Sequence, residues 1–461
     1  MQTKTLFALV LLSNIALFLS SPTGFYKTIS THSSKTGSAT IASQCANDAF
    51  KVRDVMYALT DTSVNRMTSD HFQIIYGNSD TTGSVNDEFI KGNLINLENI
   101  RAFYINQLGM KDITTSMTGA LSGQYKLNVY VSATGLSVFT DDWAYMSVDS
   151  QGFAYLFVAP GAMRVNEPSW VIPHELAHAF TYHQGGSVPG SWYEASANWF
   201  RDQYLGSEYY AYGDSVYGPT SDFFAPYLIN SQYYVPHMLN WYDTWPIFLY
   251  ITENPDNISG LGLSLMHKLF EQGSDSQNMY TMIENYSGVS IKTIMGGLTK
   301  RLATFDFKRR TAYLKHFNEE TLADSSNYAK VYTTLNSADS SGYRSVPSDK
   351  APMQGGFNII PLTDADFSKK IITFDFRSTG STSGTDFRVT LVTLSKSGKS
   401  RYSKTIKSGK TTLSIKGDET AAYLVVCATP DTFKQYYVDW NSQSTDRDTT
   451  YPYKVKVTYT S

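Results

Sequence analysis

Cysteine is scarce. Only Cys45 and Cys427 occur in 461 residues, so at most one bridge is available. In an oxidising compartment it would join the two ends of the mature chain; otherwise both thiols are simply buried. Clustered positive charge is also missing. Lys and Arg number 38 against 41 Asp and Glu, for a net charge of −3, and no basic block stands out. That argues against nucleic acid as a partner, because neutralising phosphates needs grouped Lys and Arg. Beyond the first twenty or so residues no apolar run is long enough to span a membrane. No internal repeat is visible, which leaves aside the solenoid architectures.

What is present is the composition of a globular protein, 42% apolar with 14% aromatic residues, in a chain too long for one compact core. The N-terminus has the layout of a secretory signal. Lys4 supplies the positive start, Leu6 to Leu19 the apolar stretch, and Ser20 and Ser21 the small residues near a cleavage point. The expected destination is secretion, or alternatively a vacuolar or lysosomal lumen. The sequons at Asn257 and Asn285 suit a secreted glycoprotein.

Periodicity divides the rest. Residues 1–22 read as signal peptide and 23–65 as an N-terminal extension, with helical spacing over Ala46 to Leu59. "HFQIIYG" (His71 to Gly77), "YKLNVYVS" (Tyr125 to Ser132) and "GFAYLFVAP" (Gly152 to Pro160) read as strands. Asp87 to Gly109 reads as a long amphipathic helix that Gly109 would cap. Helical patterns dominate from Trp192 to His316. Residues 322–352 look like a connection rich in Ser, Asp and Gly. From Phe357 onward short strands between turn residues read as a β-sandwich over 353–461.

The chemistry centres on "WVIPHELAHAF", Trp170 to Phe180. Residues four apart on a helix lie about 40° apart around its axis, so His174 and His178 share a face and can reach one cation. Glu175 lies about 100° around from His174, where it borders the metal as a general base without ligating it. Sixteen residues beyond His178, Glu194 stands in "GSWYEASANWFRDQY". The short turn-rich stretch between them makes the two helices antiparallel neighbours, so Glu194 can face the histidines. Two histidines, one carboxylate and one open position are the composition of a catalytic zinc site. Asn198, one turn past Glu194, can accept the second N–H of a ligating histidine. His183 lies off the ligand face and reads as a surface residue.

"HELAH" followed by "WYEASANWF" resembles the gluzincin clan of zinc metallopeptidases, in which a Glu in a W-x-E-G/A-x-A helix is the third ligand. The likeness covers Ala154 to Tyr204 well. More loosely, the mature chain is similar to an uncharacterised family of secreted HExxH proteins, through "HFQIIYGN", "GFNIIPL" and "LVVCATP…YPYKV". The resemblance implies an α+β fold: a zincin-like catalytic domain over 66–321, with mixed sheet, active-site helix and helical subdomain, then the β-sandwich. It also implies an edge strand at "AYLFVAP" that binds substrate through its main chain. Two departures are a shorter spacing from His178 to Glu194 than in thermolysin-like members, and Asn198 where an acidic residue is common. The oxyanion-stabilising group that the clan usually needs is open between Tyr242, which resembles the downstream tyrosine of collagenase-like members, and His237, Tyr233 and Tyr234.

The resulting expectation is a secreted zinc peptidase. Zn2+ would sit on His174, His178 and Glu194, Glu175 and Tyr242 would be catalytic, and a protein or peptide would be the substrate. The rival expectation is a secreted, non-catalytic binding protein, with a structural or degenerate zinc site and a sandwich that recognises a glycan or a cell-surface protein.

Overall fold

The computed structural model describes residues 50–137, 143–165, 169–210, 221–436 and 449–461, and of 221–224 and 320 the backbone alone. The signal peptide, Cys45 and most of the N-terminal extension lie outside the described residues. The chain is α+β and divides into two compact units, residues 1–98 with 113–164 and residues 99–112 with 165–461.

The first unit holds a five-stranded mixed sheet. Its strands are β1 (Val64–Thr68), β2 (Phe72–Gly77), β3 (Leu127–Val131), β4 (Ala144–Val148) and β5 (Ala154–Val158), in the order β1-β2-β3-β5-β4. The central trio β2, β3 and β5 is parallel, and β1 and β4 are antiparallel flanks. The sequence mirrors this. Ile74, Ile75, Val129, Val131, Leu156 and Phe157 are all fully buried, as near-continuous apolar strands covered on both faces must be. The flanking β1 and β4 carry partly exposed residues. "AYLFV" is therefore an interior strand, paired on both sides, and the edge beside it is β4. Tyr57, Val64, Ile75, Tyr130 and Phe157 form a core within this unit. The described part of Ala46 to Leu59 is not helical. It carries a bridge from Lys51 to Tyr125, and Asp54 accepts the amides of Met56 and Tyr57 in a turn. That local side-chain bonding competes with helix. The helix α1 (Asp87–Asn106) falls partly in each unit, and Gly109 follows it in the left-handed conformation at φ +66°.

The second unit begins with the paired helices α2 (Val171–Tyr182) and α3 (Tyr193–Leu205). It continues through α4 (Ser221–Ile229), α5 (Pro246–Glu253), α6 (Leu263–Gln272), α7 (Met279–Ser287), α8 (Ile291–Leu302), α9 (Arg310–His316) and the short α10 (Tyr328–Val331). No described helix is long and apolar enough to cross a membrane. The strands β6 (Arg344–Ser345), β7 (Phe357–Pro361), β8 (Ile371–Ser378), β9 (Phe387–Ser395), β10 (Ser400–Tyr402), β11 (Gly409–Ser414), β12 (Glu419–Ala428) and β13 (Tyr453–Thr460) build two antiparallel sheets, β10-β9-β12-β7 and β11-β8-β13-β6. Ile360, Phe374, Phe376, Leu391, Leu424 and Val455 form a core shared by both sheets, which makes a sandwich.

The sandwich and the helices fall in one compact unit. Residues 322–352 are tied to the sandwich: Leu335 and Val346 pack on its core, and β6 pairs with β13. Helix α8 packs across β9 and β12.

Candidate metal centre

Helix α2 opens inside a buried stretch. Pro173 lies in its first turn, where the missing N–H is one that no helix satisfies. The Pro173 carbonyl accepts the Tyr104 hydroxyl at 2.7 Å, and Ser169 Oγ accepts the amide of Val171 at 3.0 Å. The loop after α2 is pinned to α6, with Gly186 N–H on the Phe270 carbonyl at 2.9 Å and Ser187 N–H on that of Gly273 at 3.0 Å. A Cβ at Gly186 would lie 2.7 Å from the backbone of Glu271, so only glycine permits this approach. The loop turns tightly and delivers α3 alongside α2. Trp192, Ala195, Ala197 and Trp199 are fully buried, which fixes the rotation of α3 and sets Glu194 toward α2.

His174, His178 and Glu194 converge. One donor atom from each lies within 4.8 Å of the others. His174 Nε2 is 2.9 Å from a Glu194 carboxylate oxygen and 3.2 Å from His178 Nε2, and His178 Nε2 is 3.4 Å from the same oxygen. Asn198 decides the tautomer. Its Nδ2 donates to the carbonyl of Tyr242 at 2.7 Å, so its Oδ1 is the atom that accepts from His174 Nδ1 at 2.6 Å. With Nδ1–H committed, the neutral His174 ring turns a lone pair toward the lone pairs of Glu194. Acceptors converging in this way require a cation between them, a proton or a metal ion. Two imidazole nitrogens and one carboxylate oxygen are a donor set that suits zinc. The residues present therefore fit the group that the sequence implies.

Electrostatics agree. Burial alone would push the Glu194 carboxyl up, but the charge of His178 and the two imidazoles at hydrogen-bond distance hold it well below the usual carboxylate range. His178 is fully enclosed, which favours its neutral form, yet the carboxylates of Glu194 and Glu175 raise its value. Its Nδ1 is buried without a hydrogen-bond partner, and an aromatic face orients the ring instead. Tyr193 stacks on it at 4.4 Å between centroids and 12° between planes. The Tyr193 hydroxyl is tied to Thr181, whose Oγ1 donates to the His178 carbonyl.

Tyr242 lies in the short helical turn before α5, its ring nearly parallel to His174 at 6.1 Å and 16°. Burial, then the charges of Glu194 and Glu175 and a hydrogen bond to Glu194, raise its phenol far above the ordinary value. Glu175 is buried, and its charge reaches His178, Tyr193 and Tyr242. The rival residues pack against one another. His237 stacks on Tyr233 at 4.5 Å, meets Tyr234 at 4.7 Å and accepts the Leu239 amide on Nδ1; burial pushes it down to about 4. His183 is not on the surface. It ends α2 at 3% exposure, because the following loop folds back onto α6.

Two residues of α3 escaped the sequence reading. Tyr193 precedes Glu194 directly and stands in the quoted motif, but nothing in the spacing marks a tyrosine as a stacking partner. Asp202 continues the spacing of four from Glu194 and Asn198. It is fully buried and accepts from Arg309 Nη1 and from the Tyr313 hydroxyl, each at 3.1 Å.

Among solved structures, the chain is similar to the ZmpB metallopeptidase from Clostridium perfringens, with 11% identity and a TM-score of 0.28 over 79% of this chain. The match spans 66% of that chain, just under two thirds of its length. A likeness at that score carries no argument about activity. No curated protein matches the sequence. A family model, described as "Family of unknown function (DUF6055)", matches residues 36–461, and the chain belongs to that family.

Proposed function

We propose that the protein is a secreted, zinc-dependent peptidase of the gluzincin type. The observation that carries this reading is the convergence of His174 Nε2, His178 Nε2 and a Glu194 oxygen, with Glu175 on the same helix as the histidines. Among the described residues the cluster offers three donors. A structural zinc site is closed by four protein ligands, whereas three leave a position for reacting groups. That favours catalysis over the binding-protein reading.

Bound zinc would supply Lewis-acid polarisation of a carbonyl and make water acidic enough to attack it at neutral pH. The protein's own residues do the rest. Glu175 accepts the proton of the attacking water as the new C–O bond forms. It then returns that proton to the amine nitrogen as the C–N bond breaks. Tyr242 donates its phenol hydrogen bond to the oxygen on which negative charge develops. Asn198 keeps His174 in the tautomer whose Nε2 is free to ligate. Tyr193 keeps the His178 ring from turning.

The test separates ligation from chemistry. The purified protein should contain about one zinc per molecule and cleave a labelled protein mixture, with activity lost to a chelator and restored by zinc. Glu175→Gln should keep the zinc and lower kcat by about 10²-fold or more. His178→Ala should lose both metal and activity. An active Glu175→Gln enzyme would refute the assigned base, and a parent protein that takes up no zinc would refute the reading as a whole.

A further inference from the structure

The outward face of the sheet β11-β8-β13-β6 carries three rows of polar side chains, with the 36% exposed Ile371 in a further row at the start of β8. Register places Lys410, Asp375 and Lys456 side by side in one row, and Thr412, Thr373 and Thr458 in the next. In the third, Arg377 stands directly opposite Lys454. Like charges directly opposite on antiparallel strands are destabilising. Here one ring lies under both. Arg377 is 4.4 Å and Lys454 5.0 Å from the centroid of Tyr343, whose hydroxyl donates to Asp375 at 2.7 Å. Four cations thus face two carboxylates, and the two ion pairs on Asp375 are loose. Arg377 and Lys410 lie 3.7 and 3.8 Å from Asp375, and Lys454 lies 3.2 Å from Asp339. Lys456 donates to the carbonyl of Ser341 at 3.0 Å. A depression of ≈ 310 Å³ runs between the rows.

We propose that this face binds an acidic polysaccharide. Its sulfate or carboxylate groups would meet Arg377, Lys454, Lys410 and Lys456, and its hydroxyls the threonine row. The chain as a whole is acidic, at −3, so the local surplus of positive charge is a property of this face and not of general basicity. Other occupants fit less well. A protein partner needs a central apolar or aromatic anchor, and no outward residue of the three rows is apolar. Strand addition needs an open edge, and β8 and β13 are the two inner strands of their sheet. Single-stranded nucleic acid needs exposed aromatic faces for stacking, but Tyr343 is 5% exposed beneath its two cations. The same burial withholds a stacking platform from neutral sugars. What the three rows offer is charge and hydroxyl groups, the complement of an anionic, polyhydroxylated chain.

The experiment uses the full-length protein and labelled heparin or polygalacturonate as sulfated and carboxylated probes. Dextran is the neutral control and polyglutamate the acidic polypeptide control. At low salt the parent should bind one of the acidic polysaccharides more tightly than polyglutamate, without binding dextran, and lose affinity as salt rises. Arg377→Gln with Lys454→Gln should weaken that binding by about tenfold, since two exposed charge contacts are lost together. Lys396→Gln with Lys399→Gln, an equal charge change in the turn between β9 and β10 of the other sheet, should bind as the parent does. Lys410→Gln with Lys456→Gln is the second test of the face, and unchanged melting curves show that each variant is folded. Failure of both polysaccharides to bind overturns the proposal. So does undiminished binding by both face variants, or equal binding of polyglutamate or dextran.

Discussion

At Asn198 the chain has an amide where a carboxylate would be the stronger acceptor for a metal-binding histidine. The amide does something a carboxylate cannot, because it accepts from His174 Nδ1 on one side and donates to the Tyr242 carbonyl on the other. An Asp at 198 would turn a second oxygen on that carbonyl and leave it without its donor. Asn198→Asp should therefore lower the stability of the metal-free protein by about 1–3 kcal/mol, the cost of a buried acceptor left unsatisfied. A denaturant midpoint equal to the parent's would contradict this. Tyr242, held by that same bond, is the residue on which the proposed oxyanion role rests. Tyr242→Phe keeps the ring beside His174 and removes only the hydroxyl. It should lower kcat by roughly 10²-fold with KM and zinc content unchanged. His237→Ala, measured alongside, should leave kcat near the parent's, since that ring is occupied with Tyr233 and Tyr234. A large loss in His237→Ala alone would move the role there.

At the scale of the element, α3 is a polar column in an apolar helix. Glu194, Asn198 and Asp202 recur every four residues, and the flanking Trp192, Ala195, Trp199 and Phe200 are fully buried. Burial pushes the Asp202 carboxyl up to about 6, although the Arg309 charge and the Tyr313 hydroxyl work against the rise. The native state therefore holds this proton where an unfolded chain, with its ordinary value of 3.8, has released it. Stability from this group is present below about pH 4 and lost as pH rises through 6, by up to about 3 kcal/mol. Asp202→Asn has no proton to lose. Denaturant midpoints of the two proteins at pH 4 and pH 7 should diverge in that direction, and a constant difference would show that Asp202 does not titrate there. Helix periodicity made the grouping of His174, His178 and Glu194 legible, because α2 and α3 are regular and their connection is short. Strands flanked by clear turns, such as β2, β5, β8 and β13, were legible for the same reason. Short flanking pieces such as β1, β4, β6 and β10 were not: their residues become strands through pairing with distant partners, and local pattern carries no record of that. Nor does spacing announce an aromatic stack, which is why Tyr193 stayed hidden.

For the whole molecule, the change from helical to β pattern after residue 322 raises the question whether the sandwich can stand alone. The burial of β12 argues against it. Leu424, Val426 and Ala428 point into the sandwich core, yet the alternate residues Val425 and Cys427 are also buried, at 1% and 0% exposure. A strand buried on both faces needs a cover on each, and the second cover is α8, which packs across β9 and β12 with Gly296 against Arg388. The polar contacts run the same way. Lys292 bonds Asp386 and Asp431, Tyr402 donates to Asp306, and the amides of Met353 and Phe357 bond the carbonyls of Gln232 and Ser231. A fragment starting near Ala351 would lose β6 and Val346 from its core as well. It would expose the apolar outer side of β12 and strand the partners of these bonds. That fragment should be soluble only with difficulty, melt without cooperativity and be cut rapidly by proteases. A longer fragment from about residue 221, which keeps α8 and its neighbours, should be the more resistant of the two. Side-by-side limited proteolysis and calorimetry decide between these outcomes. A sharp, reversible melt of the short fragment would mean that the sandwich core suffices and that α8 merely rests on it.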